Sequence, residues 1–532
     1  MNDWTKKAIF YHIYPLGFCG CEQYHQDTIT PRIHKLKDWI PHFKKLHINA
    51  LYLGPVFESF EHGYDTSDYR TLDHRLGTNK DFIDVCDALH GNGIRIVLDG
   101  VFNHVGRDFW AFKDVQQRKE ASPYCNWFSN LNFNCSSPMG DSFTYDTWQG
   151  HYNLVKLNLY NEEVIQYLLD CVNFWIDTFA IDGLRLDAAD CIPFSFFQRL
   201  RQFCKQKKED FWLMGEIIHG DYNRWANNEM LDSVTNYECY KGLYSSHNTK
   251  NYFEIAYSFN RQFGNDGIYK NLTLYNFVDN HDVNRLASTL NDKNDLFNTY
   301  TMLYTMPGIP SIYYGSEMGI EGMKKNGSDA ALRPCIELDK QIQNTKLTKH
   351  IEKLGLFKQS LPVLSFGDYQ QVYLTNEQFV FSRTYLQQHF YAAFNTSEYD
   401  VEIHFTCKEK TLLNLWDDTI YNPENDTLTL FIPSKSSLLL INDEHSDVQK
   451  TTNQNNTKPS QITSIPIGLY EHFKGKQYRV LHIAKHSETE EAYVVYQQMY
   501  GNKEIWIRPL SMFIETIDKN GEKIPRFKYI GE

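Results

Sequence analysis

The sequence predicts an α/β protein built on a (β/α)8 TIM barrel. A long inserted loop domain is expected after the third strand, with an antiparallel β domain and a small β-rich C-terminal module behind the barrel. Short apolar, β-branched runs alternate with segments of helical spacing from residue 8 to about 350, and such repeated strand–helix units indicate a parallel sheet. Acidic motifs lie at or just after four of these runs. Their positions agree with a closed barrel, because such a barrel carries its site at the carboxyl ends of its strands.

The individual elements follow from their spacing. The first three strands are predicted at residues 8–14, 50–54 and 94–98, and the strands of the later acidic motifs at 181–186, 211–214 and 272–278. Leu36 to Leu46 keep helical spacing, and Pro41 is expected to begin or kink this helix. A further helix is predicted from Asp81 to His90.

Changes of pattern along the 532 residues predict the domain boundaries. Between His104 and Leu157 the strand–helix rhythm gives way to an aromatic stretch rich in Asn and Ser, and a loop of this length is usually functional. Short alternating strands follow, and then a polar stretch typical of a linker. We predict a barrel over residues 1–104 and 158–355, with an inserted domain at 105–157. An antiparallel β domain is predicted at 356–442, a linker at 443–464 and a C-terminal module at 465–532.

The composition excludes several classes of partner. The formal net charge is −13 and no long basic block is present, which argues against a nucleic acid or an anionic membrane. No apolar run approaches the ~18 residues of a membrane span, and residues 1–14 do not resemble a signal peptide. Eleven cysteines lack a framework spacing, and the pair Cys19-Gly-Cys21 is interpreted as ordinary reduced thiols. The sequence therefore predicts a cytoplasmic protein.

Four short motifs carry the chemistry that the sequence suggests. They are Asp99-Gly-Val-Phe-Asn103-His104, Gly183-Leu-Arg185-Leu-Asp187, Gly215-Glu216 and Phe277-Val-Asp279-Asn-His281-Asp282. A single Asp at a strand end is usually a helix cap. Several acidic side chains at the ends of different strands instead indicate a catalytic site, because two carboxyls facing each other across a sugar can break a glycosidic bond.

In this order the four motifs resemble the α-amylase superfamily of retaining glycoside hydrolases (glycoside hydrolase family 13), over roughly residues 5–440. Three further stretches strengthen the likeness, beginning His62-Gly63-Tyr64-Asp65, Leu76-Gly77-Thr78 and Gly308-Ile-Pro310. The resemblance implies that Asp187 is the nucleophile, Glu216 the general acid/base and Asp282 a third carboxylate that holds sugar hydroxyls. It also implies substrate binding by a second group of side chains, namely Tyr64, His104, Arg185, His281, Asp329 and Arg333.

The residues themselves support the same roles. Arg185 lies two residues from Asp187 and should favour its ionised form. Glu216 follows an apolar strand, and a dry setting should keep it protonated. Asp99 is expected to organise Arg185 and, with Asn103, to support the site rather than touch substrate. For Asp329 and Arg333 a surface ion pair remains an alternative.

Departures from the family pattern affect the calcium and substrate predictions. The resemblance links Asn103 to a structural calcium, but Ala188-Ala189-Asp190-Cys191 lacks the histidine that helps to bind it in many α-amylases. We therefore predict no metal and no required cofactor, with calcium left as an alternative. The segment Val155-Lys156-Leu157-Asn158 resembles the neopullulanase, cyclomaltodextrinase and maltogenic amylase subgroup. This likeness implies α-1,4 and, as an alternative, α-1,6 cleavage in maltooligosaccharides, cyclodextrins or starch-derived glucans.

Rival functions remain open at this stage. An exo-acting α-glucosidase or a transglycosylase would use the same residues, and a non-catalytic relative would only bind glucan. The stretch from Gly468 onwards resembles a small bacterial domain of unknown function, whose aromatic residues serve either a ligand groove or a small core. The sequence does not predict an oligomeric state.

Overall fold

The computed structural model describes residues 3–325, 327–338, 345–442, 465–485, 492–519 and 522–531. The chain divides into two compact units, Met1–His445 and Ser446–Glu532. The predicted linker at 443–464 lies outside the described residues. The other predicted domain boundaries stay predictions.

A closed ring of parallel strands forms the centre of the first unit. In the described chain this ring has eight strands, β1 to β8, at Phe10–Ile13, Ala50–Leu53, Arg95–Gly100, Gly183–Leu186, Trp212–Gly215, Ser233–Val234, Tyr275–Asn276 and Ile309–Tyr313. They pair in the order β6-β5-β4-β3-β2-β1-β8-β7, and a parallel bridge between Thr235 and Tyr275 joins the two ends. The predicted (β/α)8 barrel is confirmed.

Helices between the strands cover the outside of the ring. Within the described residues of this part they are Lys35–Asp38, Ile40–Lys45, Asn79–Gly91, Glu162–Phe179, Phe194–Lys207, Tyr237–Asn248, Phe253–Phe263, Leu286–Thr289, Asp295–Thr305 and Lys346–Ser360. Thr78 and Asp81 form a capping box at the start of one of them, which satisfies two of its free backbone N–H groups. Pro41 occupies the first turn of Ile40–Lys45, as the sequence predicts.

Smaller β structures complete the first unit. After β3, strands His104–Gly106, Thr147–Trp148 and His151–Lys156 form an antiparallel sheet beside the helix Trp110–Arg118. Beyond the barrel, a six-stranded and a two-stranded antiparallel sheet enclose one apolar core. Their strands are Asp368–Leu374, Gln378–Tyr385, Gln388–Asn395, Val401–Thr406, Leu412–Asn414, Ile420–Tyr421, Thr427–Ile432 and Ser436–Asn442.

The second unit is β-rich and has a core of its own. Its five-stranded sheet consists of Gly468–His472, Gln477–Lys485, Ala492–Gln498, Ile505–Pro509 and Phe527–Gly531. Phe513 and Phe527 stack in its core with ring centroids 4.1 Å apart. Tyr470 and Tyr496 are also buried there, which favours the small-core interpretation of these two aromatic residues. Across the described residues, no helix combines the length and the apolar character that crossing a membrane requires.

Two strand predictions differ from the structure in detail. Asp99 lies inside β3 rather than after it, and only Tyr275–Asn276 of the run 272–278 pairs as a strand. The closed barrel is the reason in both cases, because hydrogen bonds to the neighbouring strands decide which residues belong to a strand. Apolar character alone marks a longer stretch than the one that pairs.

Gly183, the first residue of β4, allows β4 and β5 to approach closely. A Cβ atom at this position would lie 2.5 Å from the carbonyl oxygen of Trp212, whereas one at Gly91, at the end of a helix, would meet nothing within 4 Å. We expect Gly183→Ala to lower the free energy of unfolding by about 1–3 kcal/mol. Gly91→Ala should leave it equal or up to about 1 kcal/mol higher. Denaturant unfolding of both variants measures this, and equal stabilities would contradict the close approach of the two strands.

Candidate active site

A buried guanidinium group organises the carboxyl end of the barrel. Arg185 in β4 is 3% exposed. Its Nη1 donates to Asp99 Oδ1 and to Asp187 Oδ1, each at 2.9 Å, and its Nη2 lies 2.9 Å from Glu216 Oε2. One cation thus holds carboxylates from three neighbouring strands. The structure brings these four residues together, as the sequence predicts.

Asp99 is the most enclosed of these carboxylates. Besides Arg185, its Oδ2 accepts hydrogen bonds from the hydroxyls of Tyr52 at 2.8 Å and Tyr64 at 3.1 Å. Its side chain has no exposed surface. Asp99 therefore positions other side chains and is closed to a ligand, in agreement with the supporting role expected for it.

A second ion cluster lies around Asp282, after β7. His281 Nε2 is 3.0 Å from Asp282 Oδ2, and Arg333 Nη2 donates at 3.0 Å both to Asp282 Oδ1 and to Asp329 Oδ2. Lys324 pairs with the other oxygen of Asp329. Asp329 and Arg333 thus form an ion pair that is largely buried rather than at the surface, and Arg333 connects this pair to Asp282. Substrate binding by the two residues stays a prediction.

Three parallel rings line the region between the two clusters. The ring of His281 is parallel to that of Tyr64, with centroids 5.4 Å apart and an interplanar angle of 7°, and the Tyr64 hydroxyl lies 2.5 Å from His281 Nε2. The ring of Tyr14 is also parallel to His281, at 6.1 Å, and Arg333 lies 4.6 Å from the centroid of Tyr14. Tyr64 is fixed beside His281 by their hydrogen bond and by the one that its hydroxyl donates to Asp99. Its stacking on a sugar stays a prediction.

His104 faces the carboxyl of Asp187. Its Nε2 lies 3.9 Å from Asp187 Oδ2, and burial lowers the pKa of the ring to about 3, so the ring is neutral. Its Nδ1 accepts a hydrogen bond from Asn103 Nδ2 at 3.1 Å, and a neutral imidazole then carries its proton on Nε2. Nε2 makes no hydrogen bond of good geometry in the described chain, although the backbone of Tyr64 lies close enough to the ring to oppose the lowering of its pKa. Donation of this N–H to a ligand beside Asp187 stays a prediction.

The calcium alternative can be examined at Asn103. Its Oδ1 is buried and has no hydrogen-bond partner among the described residues, and an amide oxygen is a ligand that calcium accepts. Calcium takes 6–8 oxygen ligands, however, and in the described chain no group of three carboxylate, imidazole or thiol ligands includes a residue near Asn103. The absence of a required cofactor stays a prediction.

The electrostatic surroundings give the three carboxyls different proton affinities. Burial raises the pKa of Glu216, the Arg185 cation opposes this shift, and the Asp282 carboxylate adds to it. Burial also raises the pKa of Asp187 well above its ordinary value, with Arg185 opposing and Glu216 reinforcing. For Asp282, burial is outweighed by His281 and Arg333, which hold its pKa well below the usual range.

These directions refine the sequence-based expectation for Asp187. Arg185 does favour its ionised form, but burial and the neighbouring carboxyls act more strongly in the opposite direction. Two carboxyls that share one guanidinium titrate as a pair. The pair therefore holds a single proton over a pH range above the usual carboxyl values, while Asp282 is ionised.

The backbone is strained directly after Asp187. Ala188 adopts the left-handed conformation with φ 44° and ψ 44°, which costs a residue with a Cβ about 1–2 kcal/mol. In this conformation its N–H donates to Glu216 Oε2 at 3.1 Å. The strained residue thus connects the loop after β4 to the carboxyl after β5.

Sequence reasoning missed three residues of this region. His12 and Tyr14, at the end of β1, lie next to His281, and Tyr52 in β2 donates to Asp99. The available signal was a polar ring at the end of an apolar strand, at the same edge of the barrel as the acidic motifs. Such rings are common in cores, so the signal is weak without the tertiary structure.

Comparison with known families agrees with this geometry. Residues 33–360 match the family described as the α-amylase catalytic domain. Residues 468–529 match a family described as a protein of unknown function, DUF1653. The predicted resemblance of the C-terminal module to a small domain of unknown function is thereby confirmed.

Individual relatives extend the match beyond the barrel. A maltogenic α-amylase of Bacillus acidopullulyticus is 29% identical over 443 residues, which span 78% of this chain and 74% of the relative. An intracellular maltogenic amylase of Bacillus subtilis is 30% identical over 404 residues, spanning 72% and 67%. The solved structure of a cyclomaltodextrinase superposes with a TM-score of 0.75 at 26% identity and covers 83% of this chain and 79% of its own. The chain therefore belongs to the α-amylase family of glycoside hydrolases.

Proposed function

We propose that this enzyme hydrolyses α-1,4-glucosidic bonds in maltooligosaccharides, cyclodextrins or other starch-derived glucans with retention of configuration, and that α-1,6 bonds are a second substrate. The observation that carries the proposal is the contact of Asp187 and Glu216 with two nitrogens of the same guanidinium group. Retaining glycosidases keep their two carboxyls about 5–5.5 Å apart, closer than inverting enzymes do. A shared guanidinium favours this short separation.

In the first step, the Asp187 carboxylate attacks the anomeric carbon while the bond to the leaving oxygen breaks. Glu216 donates its proton to that oxygen, so the departing sugar leaves as a neutral alcohol. The product on the enzyme is a glycosyl ester of Asp187. The raised pKa of Glu216 suits this step, because the carboxyl must still hold its proton at the working pH.

In the second step, the Glu216 carboxylate removes a proton from water. The resulting hydroxide attacks the anomeric carbon and displaces the Asp187 carboxylate, which restores the free enzyme. Two inversions at the same carbon give net retention. A sugar hydroxyl in place of water would give transglycosylation by the same route.

The remaining polar groups would bind the sugar at the cleaved ring. Asp282, kept ionised by His281 and Arg333, can accept hydrogen bonds from hydroxyls and stabilise the positive charge that develops on the ring. The Nε2–H of His104 would donate to a hydroxyl beside Asp187. Tyr64 would pack against the apolar face of the ring.

The substrate class and the location rest on the relatives. The similar proteins are named maltogenic α-amylase and cyclomaltodextrinase, and the B. subtilis relative is named intracellular. The eleven cysteines are free thiols in this structure, and reduced thiols are usual in the cytoplasm. We therefore include a cytoplasmic location in the proposal. Fractionation of cells with an antibody to the chain tests it.

Replacing the nucleophile tests the mechanism. We expect Asp187→Asn to reduce product release from maltotriose, β-cyclodextrin, pullulan and soluble starch by on the order of 10³-fold or more, because an amide does not form the glycosyl ester. Asp190→Asn, which changes an exposed carboxylate three residues further along the same loop, should stay near wild type. Chromatography of the products and thermal melts of both variants provide the measurement.

The same assay separates the rival functions. Single-sugar release from chain ends would indicate an exo-acting α-glucosidase, and products longer than the substrate would indicate transglycosylation. If the wild type and Asp187→Asn are equally inactive on all four glucans, the proposal of α-glucan hydrolysis is wrong. The chain would then be a glucan-binding relative or an enzyme for another glycoside.

The pH dependence tests the proton held by Glu216. The acid form is active, so kcat/KM should fall as the pH rises through its pKa, which burial and the Asp282 carboxylate place above the ordinary glutamate value. Removing the negative charge with Asp282→Asn should lower this pKa and move the alkaline limb to lower pH. The residual rate can be followed with an aryl maltoside. Asp221→Asn at an exposed site should leave the limb in place, and an unmoved limb in Asp282→Asn would contradict the coupling.

A further inference from the structure

A group of loops away from the carboxylates converges on a second buried arginine. Arg75 is fully buried. Its Nη1 donates to the carbonyl oxygens of Gln23 at 2.9 Å and Glu61 at 2.8 Å, and its Nε donates to Asp73 Oδ1 at 2.8 Å. This arginine joins the loop after β1, the hairpin that begins with strand Phe57–Ser59 and the turn at residues 73–75.

Three potential metal ligands come together where these segments meet. His25 Nδ1 lies 2.9 Å from Glu58 Oε2, and His74 Nδ1 lies 3.5 Å from Glu58 Oε1. One ligand atom from each of the three residues lies within 4.8 Å of the other two. The three residues are distant in sequence, and no motif in the chain indicates this cluster.

The hydrogen bonds of the cluster leave ligand capacity unused. Glu58 is buried, and its Oε1 already accepts the backbone N–H of His74 at 2.8 Å. His74 Nδ1 is itself buried and has no hydrogen-bond partner in the described chain. The two imidazole side chains are about a third exposed. Solvent can therefore reach the cluster from one side, while a carboxylate oxygen and two ring nitrogens face each other inside it.

We propose that His25, Glu58 and His74 bind one divalent transition-metal ion of the zinc type, with water in the fourth position. Two imidazoles and one carboxylate are a ligand set that zinc accepts, whereas calcium and magnesium prefer oxygen ligands throughout. The ligands of a tetrahedral zinc lie about 3.3 Å from one another, given Zn–N distances of 2.0–2.1 Å. Each imidazole lies near this distance from one of the two oxygens of Glu58, at 2.9 Å from Oε2 for His25 and 3.5 Å from Oε1 for His74, and one ligand atom from each residue lies within 4.8 Å of the others.

The backbone orients one of the ligands. The N–H of His74 donates to Glu58 Oε1 at 2.8 Å, and an outer hydrogen bond of this kind holds a ligating carboxylate in place. Asp27 is exposed, and its Oδ1 lies 3.8 Å from His25 Nε2, beyond hydrogen-bond distance, so it does not fix the tautomer of His25.

The ion would reinforce one wall of the active-site cleft without taking part in catalysis. The hairpin that carries Glu58 continues into Glu61 and His62, whose backbone N–H groups donate to the carboxylate of Asp65 at 2.8 and 3.0 Å. Tyr64 lies in this same turn, and its hydroxyl is hydrogen-bonded to His281. A metal joining His25 to this hairpin would hold the loop after β1 against the segment that positions Tyr64.

Metal binding to the full-length chain tests the proposal. After treatment with a chelator and its removal, the wild-type protein should bind about one Zn²⁺ per chain by elemental analysis, and its Tm should rise on addition of zinc. Cobalt(II) in place of zinc should give visible d–d bands without thiolate charge transfer. Thiolate bands would assign the ion to cysteines and overturn the proposal.

Two ligand variants and a matched control complete the test. His25→Gln and His74→Gln should each bind zinc at least about tenfold more weakly. The control variant His34→Gln should bind zinc as the wild type does. It removes a histidine of similar exposure that lies 2.8 Å from one carboxylate, Asp81, without a third ligand. Melts with chelator present show whether each variant is folded. No bound zinc and no Tm rise in the wild type, or unchanged affinity in a folded ligand variant, would refute the site.

Discussion

The contact of Arg185 with three buried carboxyls is the interaction on which the active site depends. Removing several charges from water is costly unless they are paired with good geometry. The barrel provides that geometry through register, because Arg185 in β4 lies level with Asp99 in β3 and with Met214 in β5. One side chain therefore bridges three adjacent strands at their carboxyl ends. The positions of Asp187 and Glu216 follow from this bridge.

A second consequence is the uneven distribution of charge across the cleft. Arg185 serves three carboxyls, whereas Asp282 has the cation Arg333 and the imidazole of His281. Asp282 is thereby kept ionised, whereas Asp187 and Glu216 together retain a proton. A retaining glycosidase needs both states at once, a charged group to stabilise the sugar and an acid to protonate the leaving oxygen. The arrangement separates the two roles by environment rather than by residue type.

Buried arginines also join the loops outside the barrel. Arg75 connects segments far apart in sequence, as Arg185 does within the sheet, because its guanidinium donates to backbone carbonyl oxygens of two different loops. The inserted region also packs closely against the turn around Tyr64. A Cβ at Gly106 would lie 2.3 Å from the carbonyl oxygen of Asp65, so only glycine allows this approach. The turn around Tyr64 is thus held by the inserted region and by the loop after β1.

Local patterns in the sequence located six of the eight barrel strands, two of the helices and the acidic residues, because periodicity and motif spacing are properties of neighbouring residues. They predicted the barrel, and the family resemblance that they carry predicted the roles of Asp187, Glu216 and Asp282. The tertiary structure alone decided the proximity of His12, Tyr14 and Tyr52 to the site, the tautomer of His104 and the meeting of His25, Glu58 and His74. Proton affinities also belong to this second group, since burial and distances across the closed barrel set the pKa of Glu216 and Asp187.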